Sequence, residues 1–154
     1  MEIRFAIRED VPAILQLLKQ VGAVHHAGRP DIFRENAQKY GPSQVLSMLD
    51  SILIAAEGGQ VLGYCFCMVQ THKNDPVMTD RRELYIDDLC VEQALRGRGV
   101  GTALYARAVA YAKEQNCSSV TLNVWCCNES AMGFYEGLGM KPRKIGMEMG
   151  LEDA

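Results

Sequence analysis

The sequence predicts an α/β protein with a mixed sheet, folded as a single domain over residues 1–154, and three observations predict it. Two strand-like runs, SILIAAE and QVLGYCFCMVQT, are joined by Gly58 and Gly59, a strong hairpin signal. Further along, strand-like and helix-like runs alternate, which adds parallel pairing to the antiparallel hairpin. The length of 154 residues, 48% of them hydrophobic and 23% charged, suits one core and does not call for two.

The elements follow in order. MEIRFAIR alternates apolar and charged residues as a strand does. Asp10 then reads as a helix cap, with Pro12 in the first turn, Ile14, Leu15, Leu18 and Val21 as the apolar stripe, and Gly22 as the stop. Residues 25–42 are polar and irregular, punctuated by Gly28, Pro30, Gly41 and Pro42. Ser43 caps a short helix, SQVLSMLD, ahead of the hairpin. THKNDPVMTDR is a loop, RELYIDDLCV a strand, TALYARAVAYAKEQN a helix, SSVTLNVW a strand and ESAMGFYEGLG a short helix. KIGMEMGL closes the chain as a strand.

Composition excludes some functions. A net charge of -3 argues against a nucleic-acid binder, which carries a basic excess. The N-terminal residues MEIRFAIRED lack the apolar stretch of a signal peptide, and no run reaches the roughly 18 apolar residues of a membrane helix, so a cytoplasmic protein is expected. The six cysteines, Cys65, Cys67, Cys90, Cys117, Cys126 and Cys127, form no CxxC pair and no zinc spacing. They read as small buried thiols, with neither disulfide nor metal expected.

The chemistry sits in LYIDDLCVEQALRGRGVGTALY. A P-loop needs Lys and then Ser or Thr after its last glycine, whereas Gly101 is followed by Thr102 and Ala103. The dinucleotide fingerprint fails as well, since its third glycine falls on Thr102 or Leu104. What remains is a strand, a glycine-rich turn and a helix starting near Gly101. Unpaired N–H groups at a helix start favour an anion, and glycines bring the backbone close to it. Arg96 and Arg98 add charge-assisted contacts. This pattern indicates a phosphate or pyrophosphate site, with a tight turn carrying two solvated arginines as the plain alternative.

Arg96-Gly97-Arg98-Gly99-Val100-Gly101 resembles the R/Q-x-x-G-x-G/A loop of the GNAT superfamily of N-acetyltransferases. Asn128-Glu129-Ser130-Ala131-Met132-Gly133-Phe134-Tyr135-Glu136-Gly137-Leu138-Gly139-Met140 is similar to that family's N-x-x-A-x-x-F-Y-x-x-x-G-F/M motif, one strand and one helix downstream. The resemblance covers Ile52 to the C-terminus well and the first helices in outline. It implies the acyl-CoA N-acyltransferase fold and acetyl-CoA as co-substrate. Its pyrophosphate would lie on Arg96, Gly97, Arg98, Gly99, Val100, Gly101 and Thr102. Its pantetheine arm would bond the backbone of Leu89, Cys90 and Val91 like an added strand, where the family's sheet splays, and the Asn128 amide would hold the same arm. Asn128 also reads as an ordinary helix cap, and the two roles are compatible.

Acetyl transfer to an alkylamine poses two proton problems. With a pKa near ~10.4 such an amine is only about 0.04% neutral at pH 7, a penalty of roughly 4.6 kcal/mol, so a base must take its proton. The departing thiolate is helped by an acid. By resemblance Tyr135 is that acid, with a core aromatic beside Phe134 as the alternative; neighbouring helix positions point about 100° apart, so the two rings are expected in different surroundings. Glu83, Asp87 and Asp88 are the candidate bases. Asp87-Asp88 is an odd pair within an apolar strand, where one of two consecutive residues must face inward and buried unpaired charge is costly. Diamine acetyltransferases carry a similar stretch in which a glutamate stands at the Asp87 position, so Asp87 is the best candidate. Its shorter side chain favours a water relay. The alternative pairs Asp88 with an arginine and leaves Asp87 partly solvated.

The acceptor is less legible. The resemblance places its site at residues 25–33 and 71–82. His25 and His26 read as surface loop residues. Asp75, Asp80, Glu83, Asp87 and Asp88, if gathered, favour a cationic acceptor such as a polyamine or aminoglycoside, whereas Arg29, Arg81 and Arg82 leave room for an amino-acid-like one. A non-catalytic acyl-CoA sensor, an enzyme acting on a protein N-terminus or lysine, O-acetylation and a longer acyl donor stay open. A homodimer through the final strand is a further expectation from the family.

Overall fold

A computed structural model describes all residues, Met1 to Ala154. The chain divides into two compact units, Met1–Asn123 and Val124–Ala154.

The first unit is a five-stranded mixed sheet in the order β1 (Glu2–Phe5), β2 (Ile52–Glu57), β3 (Gln60–His72), β4 (Arg81–Val91), β5 (Ser119–Leu122). The first four are antiparallel neighbours, while β5 lies parallel to β4 after the crossover helix α3 (Val100–Glu114). Helices α1 (Val11–Gly28) and α2 (Pro42–Ser47) cover the opposite face.

Each face of the sheet has its own core, as period-two strands require. Leu53, Cys65, Leu84 and Ile86 pack with Val100, Leu104, Ala108 and Ala112 of α3, whose four-residue spacing makes one continuous stripe. Ile52, Ile54, Tyr64 and Phe66 pack with Ile14, Leu17 and Leu18 of α1 and Val45 of α2. Each such fully buried aliphatic side chain contributes about 1.5–3 kcal/mol.

The early hairpin, the crossover helix and the mixed sheet lie where the sequence places them, but several expectations need correction. Helix α1 does not stop at Gly22 but runs to Gly28. A Cβ on Gly22 would meet the Ala37 carbonyl oxygen at 2.0 Å, so this glycine lets the segment after the helix cross against it. His25 and His26 therefore lie in the last turn of α1 rather than in a loop. The His25 ring stacks on Phe33 at 4.7 Å, and His26 Nδ1 lies 2.8 Å from the Phe33 carbonyl oxygen. Burial and the nearby Lys39 charge hold the His25 pKa below its ordinary value.

Capping differs too. Asp10 occupies the N-cap position of α1, yet its carboxylate makes no helix cap. It accepts from the Ile7 amide at 2.8 Å and from both terminal nitrogens of Arg4, at 2.8 and 3.2 Å. Burial alone would raise the Asp10 carboxyl; the Arg4 and Ile7 hydrogen bonds reverse that and hold it low. Gly41, not Ser43, precedes α2, and its N–H donates to Gln44 Oε1 at 2.9 Å.

In the second unit α4 (Glu129–Gly137) forms as expected. Residues 144–151 are not a strand: 140–150 take no regular structure, and a short 3-10 turn spans Leu151–Asp153. Ile145, Met147, Met149 and Leu151 are all exposed. The alternation is present, but without a pairing strand the ladder that defines a β-strand is missing. Cys126 and Cys127 are exposed, against their reading as buried thiols, whereas Cys65 and Cys67 are buried with sulfurs 3.6 Å apart.

Candidate active site

Strand β4 is the axis of the site. Its register against β3 runs Tyr85 with Met68 and Ile86 with Cys67, then Asp88 with Phe66, leaving Asp87 without a partner. This β-bulge resolves the oddity of the acidic pair. Before it, Leu84 and Ile86 face α3; after it, Leu89 and Val91 do, while Asp88 and Cys90 turn to the α1 side. An inserted residue shifts the strand parity, so Asp87 and Asp88 both point to the α1 side, rather than one facing each way.

Asp87 is clasped from the segment before α2. Lys39 Nζ lies 2.9 Å from its Oδ1, and the Tyr40 hydroxyl donates to its Oδ2 at 2.7 Å. The Tyr40 ring stacks on Phe66 at 5.6 Å, and the Lys39 ammonium stands 5.6 Å from the Tyr40 ring centre. Burial and the Asp87 hydrogen bond raise the Tyr40 phenol, which therefore stays a proton donor.

Asp88 accepts a 2.6 Å hydrogen bond from the fully buried Tyr64 hydroxyl, not an arginine contact. Withdrawal of its carboxylate from water pushes its pKa up to about 6, against the opposing pull of the Tyr64 hydrogen bond and the Lys39 charge. Burial and the Asp88 charge push the Tyr64 phenol far up.

Glu83 does not join this pair. It lies four residues back along β4, roughly 13 Å away at strand rise. There it is buried, with His72 Nε2 at 3.1 Å and Arg81 Nε at 3.9 Å. Asp75 and Asp80 serve their own loop: Asp75 Oδ1 accepts from Val77 and Met78, and Asp80 Oδ1 from Asn74. The arginines are also committed, Arg29 to Asp31 and Arg82 to the Gln115 carbonyl.

Past the bulge β4 has an open edge. Strand β5 pairs with Glu83 to Ile86 and stops, so Asp87 to Val91 have β3 on one side and no strand on the other. Leu89, Cys90 and Val91 are the backbone stretch in question. Burial, with the Asp88 charge, pushes the Cys90 thiol up to about 12, which keeps it unreactive.

The chain then passes through a 3-10 turn, Gln93–Leu95, to exposed Arg96, Gly97, Arg98 and Gly99. Gly97 and Gly99 have φ of 80° and 82°, and the space where a Cβ would project is open at both. Positive φ, not crowding, is what calls for glycine here. Gly99 is the N-cap of α3, so Val100, Gly101 and Thr102 form the first turn, with N–H groups that no preceding helical carbonyl receives. An open strand edge that leads into such a turn fits an extended arm ending in a diphosphate, so the residues present suit acetyl-CoA. No group of three or more His, Cys, Asp or Glu is placed to hold a metal ion.

In the second unit Asn128 caps α4, its Oδ1 accepting the Ala131 N–H at 3.1 Å. Tyr135 is half-buried, and its ring meets Phe134 edge-on at 5.1 Å, so the two rings are in contact rather than in separate surroundings.

Sequence reasoning missed Lys39, Tyr40 and Tyr64. Tyr64 had a signal, a phenol on the buried side of a central strand, which needs a polar partner. Lys39 and Tyr40 had none, since 47 or 48 residues separate them from Asp87.

Comparison with known proteins follows the same lines. A family model described as acetyltransferase (GNAT) family matches residues 17–140. An uncharacterized N-acetyltransferase of Methanocaldococcus jannaschii is 31% identical over 97 residues, 62% of this chain and 41% of that protein. N-acetyltransferase 8B of Mus musculus is 33% identical over 88 residues, 57% of this chain and 36% of that protein. The chain thus spans well under half the length of these curated relatives. Among solved structures, a mutant of the BH1408 protein from Bacillus halodurans superposes with a TM-score of 0.93 at 30% identity, covering 98% of this chain and 99% of that one.

Proposed function

Because the chain belongs to the acetyltransferase (GNAT) family, we propose that it moves the acetyl group of acetyl-CoA to a primary amine of a small molecule by direct attack in a ternary complex. The observation that carries this reading is the β4 bulge: it aims two carboxylates to one side where the strand edge opens and leads into the glycine turn.

Residues take the following parts. Arg96 to Thr102 hold the pyrophosphate, and Leu89 to Val91 offer backbone groups to the pantetheine. Asn128 spends Oδ1 on its cap, so its role toward the arm falls to Nδ2. Asp87 takes the proton of the acceptor ammonium, directly or through water, the amine nitrogen bonds the thioester carbonyl carbon, and the C–S bond breaks. Tyr135 gives its proton to the departing sulfur and regains one from the protonated amide nitrogen, so the step ends with neutral thiol, neutral amide and one proton on Asp87. The acidic pair and the committed arginines favour a cationic acceptor, a polyamine or aminoglycoside, over one bearing a carboxylate. We place this activity in the cytoplasm, within one domain spanning 1–154.

Thiol release from acetyl-CoA across an amine panel tests the reading. Turnover on polyamine-like or aminoglycoside acceptors is expected, and Tyr135→Phe is expected to reduce kcat by about 10²-fold. Tight acetyl-CoA binding with no acetylated amine would make the chain a sensor. Equal rates in both proteins would remove Tyr135 from the mechanism.

We extend the reading to a homodimer through residues 144–151, whose exposed alternate positions Ile145, Met147, Met149 and Leu151 offer an apolar edge to a second copy. Sedimentation is expected to give a dimer for the unmodified chain and a monomer for Met147→Asp. A monomeric unmodified chain refutes it.

A further inference from the structure

Lys39 has no part in the mechanism above, yet its ammonium sits on the group assigned as the base. Resting on that assignment, we propose that Lys39 is a tethered occupant of the acceptor-amine position, which a cationic substrate must displace before it can be acetylated.

The chemistry of the contact supports this. An acceptor amine arrives as an alkylammonium, and the side chain of Lys39 ends in one. Its Nζ lies 2.9 Å from Asp87 Oδ1, where an ammonium that gives its proton to that carboxylate directly, without the water relay, has to lie. The other oxygen, Oδ2, belongs to the Tyr40 hydroxyl at 2.7 Å. Oδ1 is thus the oxygen left for a substrate, and Lys39 holds it. The Lys39 side chain is 51% exposed whereas that of Asp87 is 11% exposed, so the lysine swings out to water while the carboxylate stays.

The neighbours hold the anchor, while Lys39 meets it through its ion pair with Asp87 and the face of Tyr40. Tyr40 is held by its Asp87 bond and by stacking on Phe66. Asp88 is held by Tyr64. The charged or titratable groups facing Lys39 are Asp87, Asp88, Tyr40 and His25, and the two carboxylates and the Tyr40 ring face attract it.

The exchange leaves net charge unchanged, since one ammonium leaves as another arrives. The apparent affinity for substrate is reduced by the fraction of molecules in which Lys39 is bound. An ion pair worth about 0–1 kcal/mol leaves Lys39 bound in roughly half to four-fifths of the molecules, so its removal is worth about two- to fivefold in KM. With Lys39 gone an incoming cation meets an uncompensated carboxylate pair, and salt screens that attraction.

The test compares Lys39→Met, Lys39→Arg and the unmodified chain on an alkyl diamine acceptor at low and high salt. For Lys39→Met, KM is expected to fall about two- to fivefold and to become salt-dependent, with KM for acetyl-CoA unchanged. Lys39→Arg keeps a tethered cation and is expected to behave as the unmodified chain. Equal KM values and equal salt responses in all three proteins overturn the proposal. So does a fall in Lys39→Arg as large as in Lys39→Met, which marks loss of lysine packing rather than of a competitor. Equilibrium binding of the same diamine to the cofactor-free proteins gives the comparison without turnover. A chain that acetylates nothing but binds diamine more tightly as Lys39→Met loses the proposed activity and keeps the tethered lysine. A chain that turns over with identical binding in all three variants does the reverse.

Discussion

Asp87→Asn is expected to lower kcat/KM for amine acetylation by about 10²–10³-fold while leaving the dissociation constant of acetyl-CoA within about twofold. The substitution keeps the shape and an oxygen for the Tyr40 hydroxyl, which now donates to Oδ2 at 2.7 Å. Under the proposed mechanism it removes the lone pair that would take the proton and the charge that would attract an ammonium. Asp87→Glu, the residue that diamine acetyltransferases carry there, restores the carboxylate and is expected to keep more than roughly a tenth of the rate. Glu83→Gln is the control. Its contacts with His72 and Arg81 lie at the start of β4, so it is expected to lower stability and leave kcat within about threefold. Steady-state kinetics on the three variants decide the matter: a large loss in Glu83→Gln with little in Asp87→Asn moves the base to Glu83. A loss below tenfold in both points to a base elsewhere.

The parts of the fold that were legible in the sequence are those whose signal is local. Gly58-Gly59 marks its own turn, the four-residue stripe from Val100 to Ala112 marks its own helix, and Gly97 and Gly99 take the positive φ that their turn calls for. The errors share one cause, a dependence on something far away in the chain. Gly22 looks like a helix stop but is an approach point for Ala37, which no pattern around it records. The Asp87 bulge exists only relative to β3, so a reading of RELYIDDLCV by itself assumes strict alternation and sends the two aspartates to opposite faces. Alternation in KIGMEMGL is real, yet a strand is defined by a ladder, and these residues belong to no strand of the sheet. The clasp of Lys39 and Tyr40 on Asp87 joins a polar segment to a strand four elements later, and polarity alone says nothing about where such a segment lands.

Asp88→Asn is expected to make the protein more stable at pH 8, by up to about 3 kcal/mol, and to give little gain near pH 4. The sign follows from the direction of the shift. In the folded state the Asp88 carboxyl keeps its proton up to about 6, because burial outweighs the Tyr64 bond and the Lys39 charge. In the unfolded chain the same group ionises near the ordinary carboxylate value. As pH rises through that window the folded state must accept a charge that the unfolded chain solvates freely, so Asp88 costs stability above the window and nothing below it. An asparagine keeps an oxygen for the 2.6 Å bond from Tyr64 and never ionises. Urea unfolding at pH 4, 6 and 8 measures the difference, and a variant less stable than its parent at pH 8 contradicts it. A buried carboxylate expected to weaken the fold above pH 6 calls for another reason for its presence. If that reason is charge beside the acceptor ammonium, kcat/KM of the parent has an acidic limb near pH 6, and the limb vanishes in Asp88→Asn. Loss of Lys39 removes a charge that favours the ionised form, so in Lys39→Met the same limb moves to higher pH. A limb that stays in place in both variants belongs to another group.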